Sequence, residues 1–317
     1  MNIPVFDLHC DTALALMGDD MRQEGSLRKN SQHISLERAS RLPGYCQCFA
    51  CFTTPGMGDD QGVPVEEVFQ REMEGVLREV SRNQDLIVLA KTPSEIENNL
   101  NHGKMSAVLT IEGPAGFGFD PARLEGLWNH GFRISTLGWN EKNVLSGSNQ
   151  TGGELTDLGR EYVREAQRLG MLIDVSHLSD EGFWDIMDMT EAPVIATHSD
   201  SRAVRNVPRN LSDDMFREIC QTGGVAGINL YTDFLGDHAN LDTVCDHVFH
   251  YLELDPDGRH VALGGDLDGC ESIPEGMTGV DGYNALAERL NARGLDPDLI
   301  HRIFWDNALG VMKRCCM

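Results

Sequence analysis

The chain of 317 residues is predicted to be an α/β protein, a (β/α)8 TIM-type barrel with elaborated loops at its C-terminal face. Three observations predict this. Eight short apolar runs alternate with amphipathic segments along the whole sequence. The runs are near-continuously apolar, as expected of parallel strands buried on both faces. Ionisable residues also recur at the same end of one run after another. A single domain over residues 1–317 is expected, because no linker rich in Pro, Gly or Ser divides the sequence into comparable halves and no repeat is evident. A doubly wound open sheet is the alternative arrangement of such elements.

The strand candidates are residues 3–10, 45–52, 106–112, 132–137, 171–177, 194–198, 224–230 and 261–266. Helical segments fill the gaps. Residues 65–82 place Val65, Val68, Phe69, Met73, Val76, Leu77 and Val80 close to a 3.6-residue period. Residues 155–169 follow a loop rich in Thr and Gly. Residues 179–189 open with Ser-Asp-Glu-Gly, an N-cap followed by early acids. Residues 211–222 have a start signal in Ser212-Asp213-Asp214 and a stop signal in Gly223-Gly224. Residues 243–254, 284–291 and 297–312 complete the set. Three long segments, residues 12–44, 139–154 and 269–281, follow strands and so belong to the face where barrel active sites are built.

Charge limits the partners. With 50 acidic and 26 basic residues the net charge is −24, which disfavours nucleic acid and anionic membranes. No stretch approaches the roughly 20 apolar residues of a membrane span. Residues 1–17 contain two Asp, no Lys or Arg and no signal-like apolar run, and the final Arg-Cys-Cys-Met offers no lipidation box. Nine cysteines without framework spacing read as reduced thiols. A cytoplasmic protein with no membrane partner is therefore expected.

The informative residues sit at the strand ends. His9 and Asp11 are two apart, so in an extended chain their side chains share a face. Glu112 ends the third run, His177 the fifth, His198 the sixth and Asp266 the eighth. Six ionisable groups thus fall at one end of five strands, where an unpartnered charge is costly. Three imidazoles and three carboxylates exceed the needs of one catalytic zinc and suit two divalent ions. Glu112 is the best bridging carboxylate. His9 and Asp11 would complete one site, His177 and His198 the other, leaving Asp266 for acid–base work. Taken singly, each has a structural reading: a satisfied core histidine for His9, helix caps for Glu112 and His177.

This pattern resembles the membrane (renal-type) dipeptidase family of amidohydrolase-like metallohydrolases. The resemblance rests on His-x-Asp near the start, the lone Glu112, two His 21 residues apart, and Pro-Arg-Asn with its Arg eleven residues beyond His198. It runs from Phe6 to about Leu309. It implies a binuclear Zn2+ barrel that cleaves dipeptides by a metal-bridging hydroxide and often accepts a C-terminal D-residue. His9, Asp11, Glu112, His177 and His198 would be the ligands. Arg209 would hold the substrate carboxylate, and Asp266 would handle protons. Relatives are often dimers, so a homodimer is expected. Several relatives carry a His where this chain has Trp139, whose indole can donate one hydrogen bond to an oxyanion but cannot become a cation. Asp306 stands where Gly is common, beside the family's Asn307 and Leu309.

Other residues compete for roles. Asp268 neighbours Asp266, and Arg202 and Arg205 neighbour Arg209. Cys46, Cys48 and Cys51 resemble a metal cluster but read as small core residues, the first two on one strand face and the third on the other. Cys10 should point away from the ligands beside it. His33, His102, His130, His238, His247, His250, His260 and His301 lie in loops or helices and are given no role. Other readings of the centre are an amide, lactam or N-acyl-D-amino-acid hydrolase, a sugar-acid isomerase, or a metal-binding scaffold.

Overall fold

Apolar runs that bury both faces can only satisfy their backbone by pairing on both edges, and here they pair into a ring. The computed structural model describes residues 1–18 and 26–316. Its strands are β1 (Val5–Asp7), β2 (Tyr45–Phe52), β3 (Ile87–Leu89), β4 (Met105–Glu112), β5 (Phe132–Thr136), β6 (Leu172–Asp174), β7 (Val194–Ile195), β8 (Ala226–Ile228) and β9 (Val261–Leu263). All pairings between them are parallel, in the order β7-β6-β5-β4-β2-β1-β9-β8. The ring closes beyond β7, where the Ala196 N–H donates to Val225 O at 3.0 Å and the Gly227 N–H to Ala196 O at 2.8 Å. The predicted (β/α)8 barrel is the fold observed.

Closure depends on missing side chains. A Cβ on Gly227 or Gly264 would lie 2.0 or 1.7 Å from the Thr197 carbonyl oxygen. Glycine at both positions lets the ends of β7, β8 and β9 converge.

Two apolar clusters hold the barrel. Inside it, Phe6, Leu8, Cys46, Cys48, Val108, Ile134, Leu172, Ile195 and Ala262 pack with Trp305, Leu309 and Met312. The last three belong to the C-terminal helical segment, which is anchored by Asn307 donating to Gly258 O at 2.8 Å and Val261 O at 2.6 Å. Full burial of a side chain such as Phe6 contributes about 2–3 kcal/mol. The second cluster lies between the strands and the outer helices and contains Cys10 and Cys51. The cysteine reading therefore holds: Cys46 and Cys48 share one layer, and Cys51 lies in the other.

The helices follow their sequence signals. Val65–Arg82 buries Val68, Phe69, Val76 and Val80. Ser179 caps Asp180–Met187 by accepting the Gly182 N–H at 3.0 Å. Ser212 caps Asp213–Thr222, which stops at Gly223 with φ 79°. Three differences from the sequence reading stand out. β1 and the strands after β4 are shorter than predicted; beyond β1, β6, β7, β8 and β9 the N–H groups of His9, Ser176, Thr197, Asn229 and Gly265 go to carboxylate side chains. Strand β3 was not anticipated; its three residues pair with only the first half of β4, outside the ring. The 297–312 segment is interrupted by a π-helical turn over residues 302–306. Of the predicted 12–44 loop, residues 19–25 lie outside the described residues, as does Met317 of the C-terminal tail. No helix among the described residues is long and apolar enough to cross a membrane.

Candidate metal centre

Strand order carries the site. The C-terminal ends of β1, β4, β6, β7 and β9 open at one mouth, and each delivers a candidate side chain there. Glu112 is the last residue of β4. His9 Nε2 lies 3.3 Å from Glu112 Oε2, 3.5 Å from Asp11 Oδ2 and 3.8 Å from Asp266 Oδ1. The other oxygen, Glu112 Oε1, lies 3.0 Å from His177 Nε2 and 3.8 Å from His198 Nε2. The His9 and His198 rings stack with centroids 3.8 Å apart. All six predicted residues meet, with Glu112 between two groups. The five candidate metal ligands are at most 8% exposed.

The structural readings of single residues fall away. The helix after His177 is capped by Ser179, and the short turn after Glu112 has no side-chain cap. Asp268 is structural: it accepts the His33 N–H and the Thr12 hydroxyl, both at 2.6 Å.

Electrostatics match a cation site. Burial, together with the nearby Arg209 charge, lowers the pKa of His177. Burial and the His9 charge press His198 further down. Burial alone would lower His9, but the Glu112 and Asp11 carboxylates outweigh it and hold the ring well above its usual range. Burial would raise Glu112, but His9 and His177 keep its carboxyl far below the ordinary range. Burial and the Glu112 charge push Asp11 well up.

The residues fit a divalent cation: His9, Glu112 and His198 offer ligand atoms that all lie within 4.8 Å of one another, as do those of His9, Asp11 and Asp266. His177 Nδ1 faces Asn140 Oδ1 at 3.0 Å and His198 Nδ1 faces Thr197 Oγ1 at 2.6 Å. With the ring protons on Nδ1, which these two acceptors favour, each ring presents Nε2 to the centre, and the two Nε2 atoms are 3.0 Å apart. His9 Nε2 and Asp11 Oδ1 are buried without a hydrogen-bond partner among the described residues. Convergent ligand atoms that are buried without a hydrogen-bond partner are what a metal satisfies.

The backbone is strained at two of these residues. His177 has φ 70° and Asp266 φ 54°, a region that costs a non-glycine residue about 1–3 kcal/mol and that clusters at functional sites. Asp266 Oδ2 accepts from Asn229 Nδ2 at 3.1 Å. A Cβ on Gly269 would lie 2.1 Å from Asp11 Oδ2 and 2.7 Å from Asp266 Oδ1. Among the arginines, Arg202 pairs with Asp180 and Arg205 with Asp237. Arg209 is 5% exposed, donates Nη1–H to Ser199 Oγ at 2.6 Å, and has no partner for Nε or Nη2 among the described residues. The Trp139 ring lies 6.2 Å from the His177 ring and packs edge-on against Phe52 at 5.3 Å.

Comparison with known proteins decides the lineage. Residues 1–316 match the family described as membrane dipeptidase, peptidase family M19. The chain belongs to that family. Its enzyme class is that of a metallo-dipeptidase, a hydrolase acting on peptide bonds. An uncharacterised dipeptidase of Schizosaccharomyces pombe is 34% identical over 220 residues, 67% of this chain; the chain spans 53% of that relative's length. An uncharacterised Klebsiella pneumoniae protein is 30% identical over 267 residues, covering 80% of this chain and 97% of that one. A metallopeptidase of Rhodobacter sphaeroides, crystallised with a phosphinate mimic of the dipeptide L-Ala-D-Ala, superimposes with a TM-score of 0.90 at 26% identity over 99% of this chain and 100% of the other.

Residues that sequence reasoning missed are Asn140, Thr197, Asn229 and Gly269. Asn140 and Thr197 adjoin residues already singled out, and neighbourhood was their only signal.

Proposed function

We propose that this M19 family member is a binuclear zinc dipeptidase that hydrolyses free dipeptides and tolerates a D-residue at the C-terminal position. The observation that carries this reading is the division of Glu112, with Oε2 toward His9 and Oε1 toward His177. His9, Asp11 and Glu112 would hold one ion; Glu112, His177 and His198 would hold the other. Imidazole and carboxylate donors suit zinc. When bound, the two ions supply polarisation of the scissile carbonyl and a water acidified toward neutrality.

The protein's own groups do the rest. Arg209 binds the free carboxylate of the substrate through Nε and Nη2, a fork that matches a carboxylate. That contact fixes the register at one residue beyond the scissile bond. Asp266 keeps Oδ2 on Asn229 and uses Oδ1 to take the proton of the attacking water and return it to the leaving amine. Trp139 donates its indole N–H to the developing oxyanion. Tolerance of a D-residue is supported by the L-Ala-D-Ala mimic bound to the Rhodobacter relative. The nine unpaired cysteines support a reducing compartment, the cytoplasm, and a homodimer is proposed on the family resemblance alone.

The test is a panel of L,L, L,D and N-blocked dipeptides, offered to metal-stripped and zinc-restored protein. Zinc-dependent cleavage of free L,L and L,D dipeptides is expected. Turnover confined to N-acyl-D-amino acids or lactams would replace this reading with another amide hydrolase on the same centre.

A further inference from the structure

We propose that two buried carboxylates, Asp7 and Asp174, are positioning residues that each set one half of the metal centre: Asp7 the His9 half, Asp174 the His177–His198 half. The inference rests on the two-ion reading above.

The same arrangement occurs twice. Asp7 Oδ1 accepts the N–H of His9 and the N–H of Gly265, both at 3.0 Å, while Oδ2 accepts the Tyr283 hydroxyl. Asp174 Oδ1 accepts the N–H of Ser176 and the N–H of Thr197, both at 2.9 Å, while Oδ2 accepts the Thr197 hydroxyl. In each case one oxygen clamps a donor two residues downstream on its own strand and another on the end of a neighbouring strand. Both carboxylates are at most 1% exposed. A carboxylate oxygen with two lone pairs lets two strands leave the ladder together without orphaning either donor.

The clamps act where the centre needs them. Phe6 and Leu8 face the barrel interior, so regular alternation would send His9 outward. Capture of the His9 N–H by Asp7 accompanies the break that turns His9 inward, and capture of Gly265 fixes the residue before Asp266. Asp174 does the same for the turn into His177 and for the residue before His198. His177 and Asp266, the two with positive φ, each follow a clamped donor directly.

Asp174 has a second effect. Its Oδ2 takes the Thr197 hydroxyl proton, so Thr197 Oγ1 accepts from His198 Nδ1–H and leaves the lone pair on Nε2. In Asp174→Asn the amide NH2 faces Thr197 instead. The hydroxyl then donates to His198 Nδ1, and the ring proton moves to Nε2, where it opposes a cation.

The test is a zinc titration against a competing chelator, with bound zinc counted per chain. Wild type should bind two ions. Asp174→Asn and Thr197→Val should bind the ion of the His177–His198 half about 10–100-fold more weakly and keep the other within a few-fold. Thr197→Ser should keep both. Asp7→Asn should weaken the ion of the His9 half alone. Adding His198→Ala to Asp174→Asn should abolish the already weakened ion and leave the other in place, whereas adding His9→Ala should abolish the ion that Asp174→Asn retains. The Thr197 variants keep both clamps and so test the relay with the fold intact, as unchanged circular dichroism would verify. Parallel loss of both ions, or wild-type affinity for both, in Asp174→Asn and Thr197→Val overturns the inference. A wild-type protein binding fewer than two ions overturns the two-ion reading itself, and this inference with it.

Discussion

His177 and His198 turn their Nε2 atoms toward each other at 3.0 Å, inside a pocket where each is at most 7% exposed. Protonation does not relieve the opposed lone pairs, because burial lowers both pKa values and Arg209 adds to the effect. A shared cation does relieve them. The arrangement suits a pair of ligands to one cation.

The other half has the opposite electrostatics, and this predicts a proton balance. His9 is held well above its usual pKa, and Asp11 is pushed up by burial and by Glu112. The pair titrates as a unit and carries a proton at neutral pH in metal-free protein. Zinc must displace it. His177 and His198 are already neutral and release none. Zinc uptake should therefore release protons, and affinity should rise with pH up to the raised pKa of His9 and fall below it. Calorimetry in buffers of different ionisation enthalpy checks this: the observed heat should change with buffer, and identical heats would contradict the assignment.

Gly269 is predicted to be intolerant of any side chain. The added Cβ meets the ends of Asp11 and Asp266, so those carboxylates must move rather than the backbone. Gly269→Ala should leave the thermal midpoint within a few degrees while lowering zinc content and reducing kcat about 100-fold, the scale of an ångström-sized misplacement at a reacting centre. Normal zinc content with normal turnover would show that the carboxylates do not need their present positions.

Arg209→Ala should separate substrates by their C-terminus. Loss of a charge-assisted fork is worth about 3 kcal/mol, or roughly 100-fold in kcat/KM. Free dipeptides should suffer that loss and C-terminally amidated ones should change only a few-fold. Equal losses on both would remove the carboxylate role.

Asp266→Asn should keep both metals and lose the proton transfer. Such a group contributes about 10²–10⁴-fold, so kcat should fall within that range while zinc content stays unchanged. A variant that turns over normally would end the proton-shuttle assignment.

Much of this centre was legible in the sequence because its residues break a simple rule: buried strands do not end on charges without cause. Glu112, His177, His198 and Asp266 were found that way. The phase of β1 was not legible. His9 and Asp11 do project together, but out of step with Phe6 and Leu8, because Asp7 interrupts the ladder between them. Asp7 and Asp174 were themselves visible as carboxylates inside apolar runs, yet their partners Gly265 and Thr197 lie at the ends of other strands, and only the pairing of β1 with β9 and of β6 with β7 brings them within hydrogen-bond reach. Two of the long loops do reach the mouth where the six residues meet, through Asn140 beside His177 and Gly269 beside Asp11 and Asp266. The three-residue β3 was missed because so short a run carries no periodicity, and its pairing depends on the register of β4.

On the two-ion reading, Glu112 lies between two cations. Diffraction from zinc-soaked crystals, recorded on both sides of the zinc absorption edge, tests this directly. Two anomalous peaks are predicted, one between Glu112 Oε2, His9 and Asp11, the other between Glu112 Oε1, His177 and His198. A lone peak, or peaks away from Glu112, would contradict it.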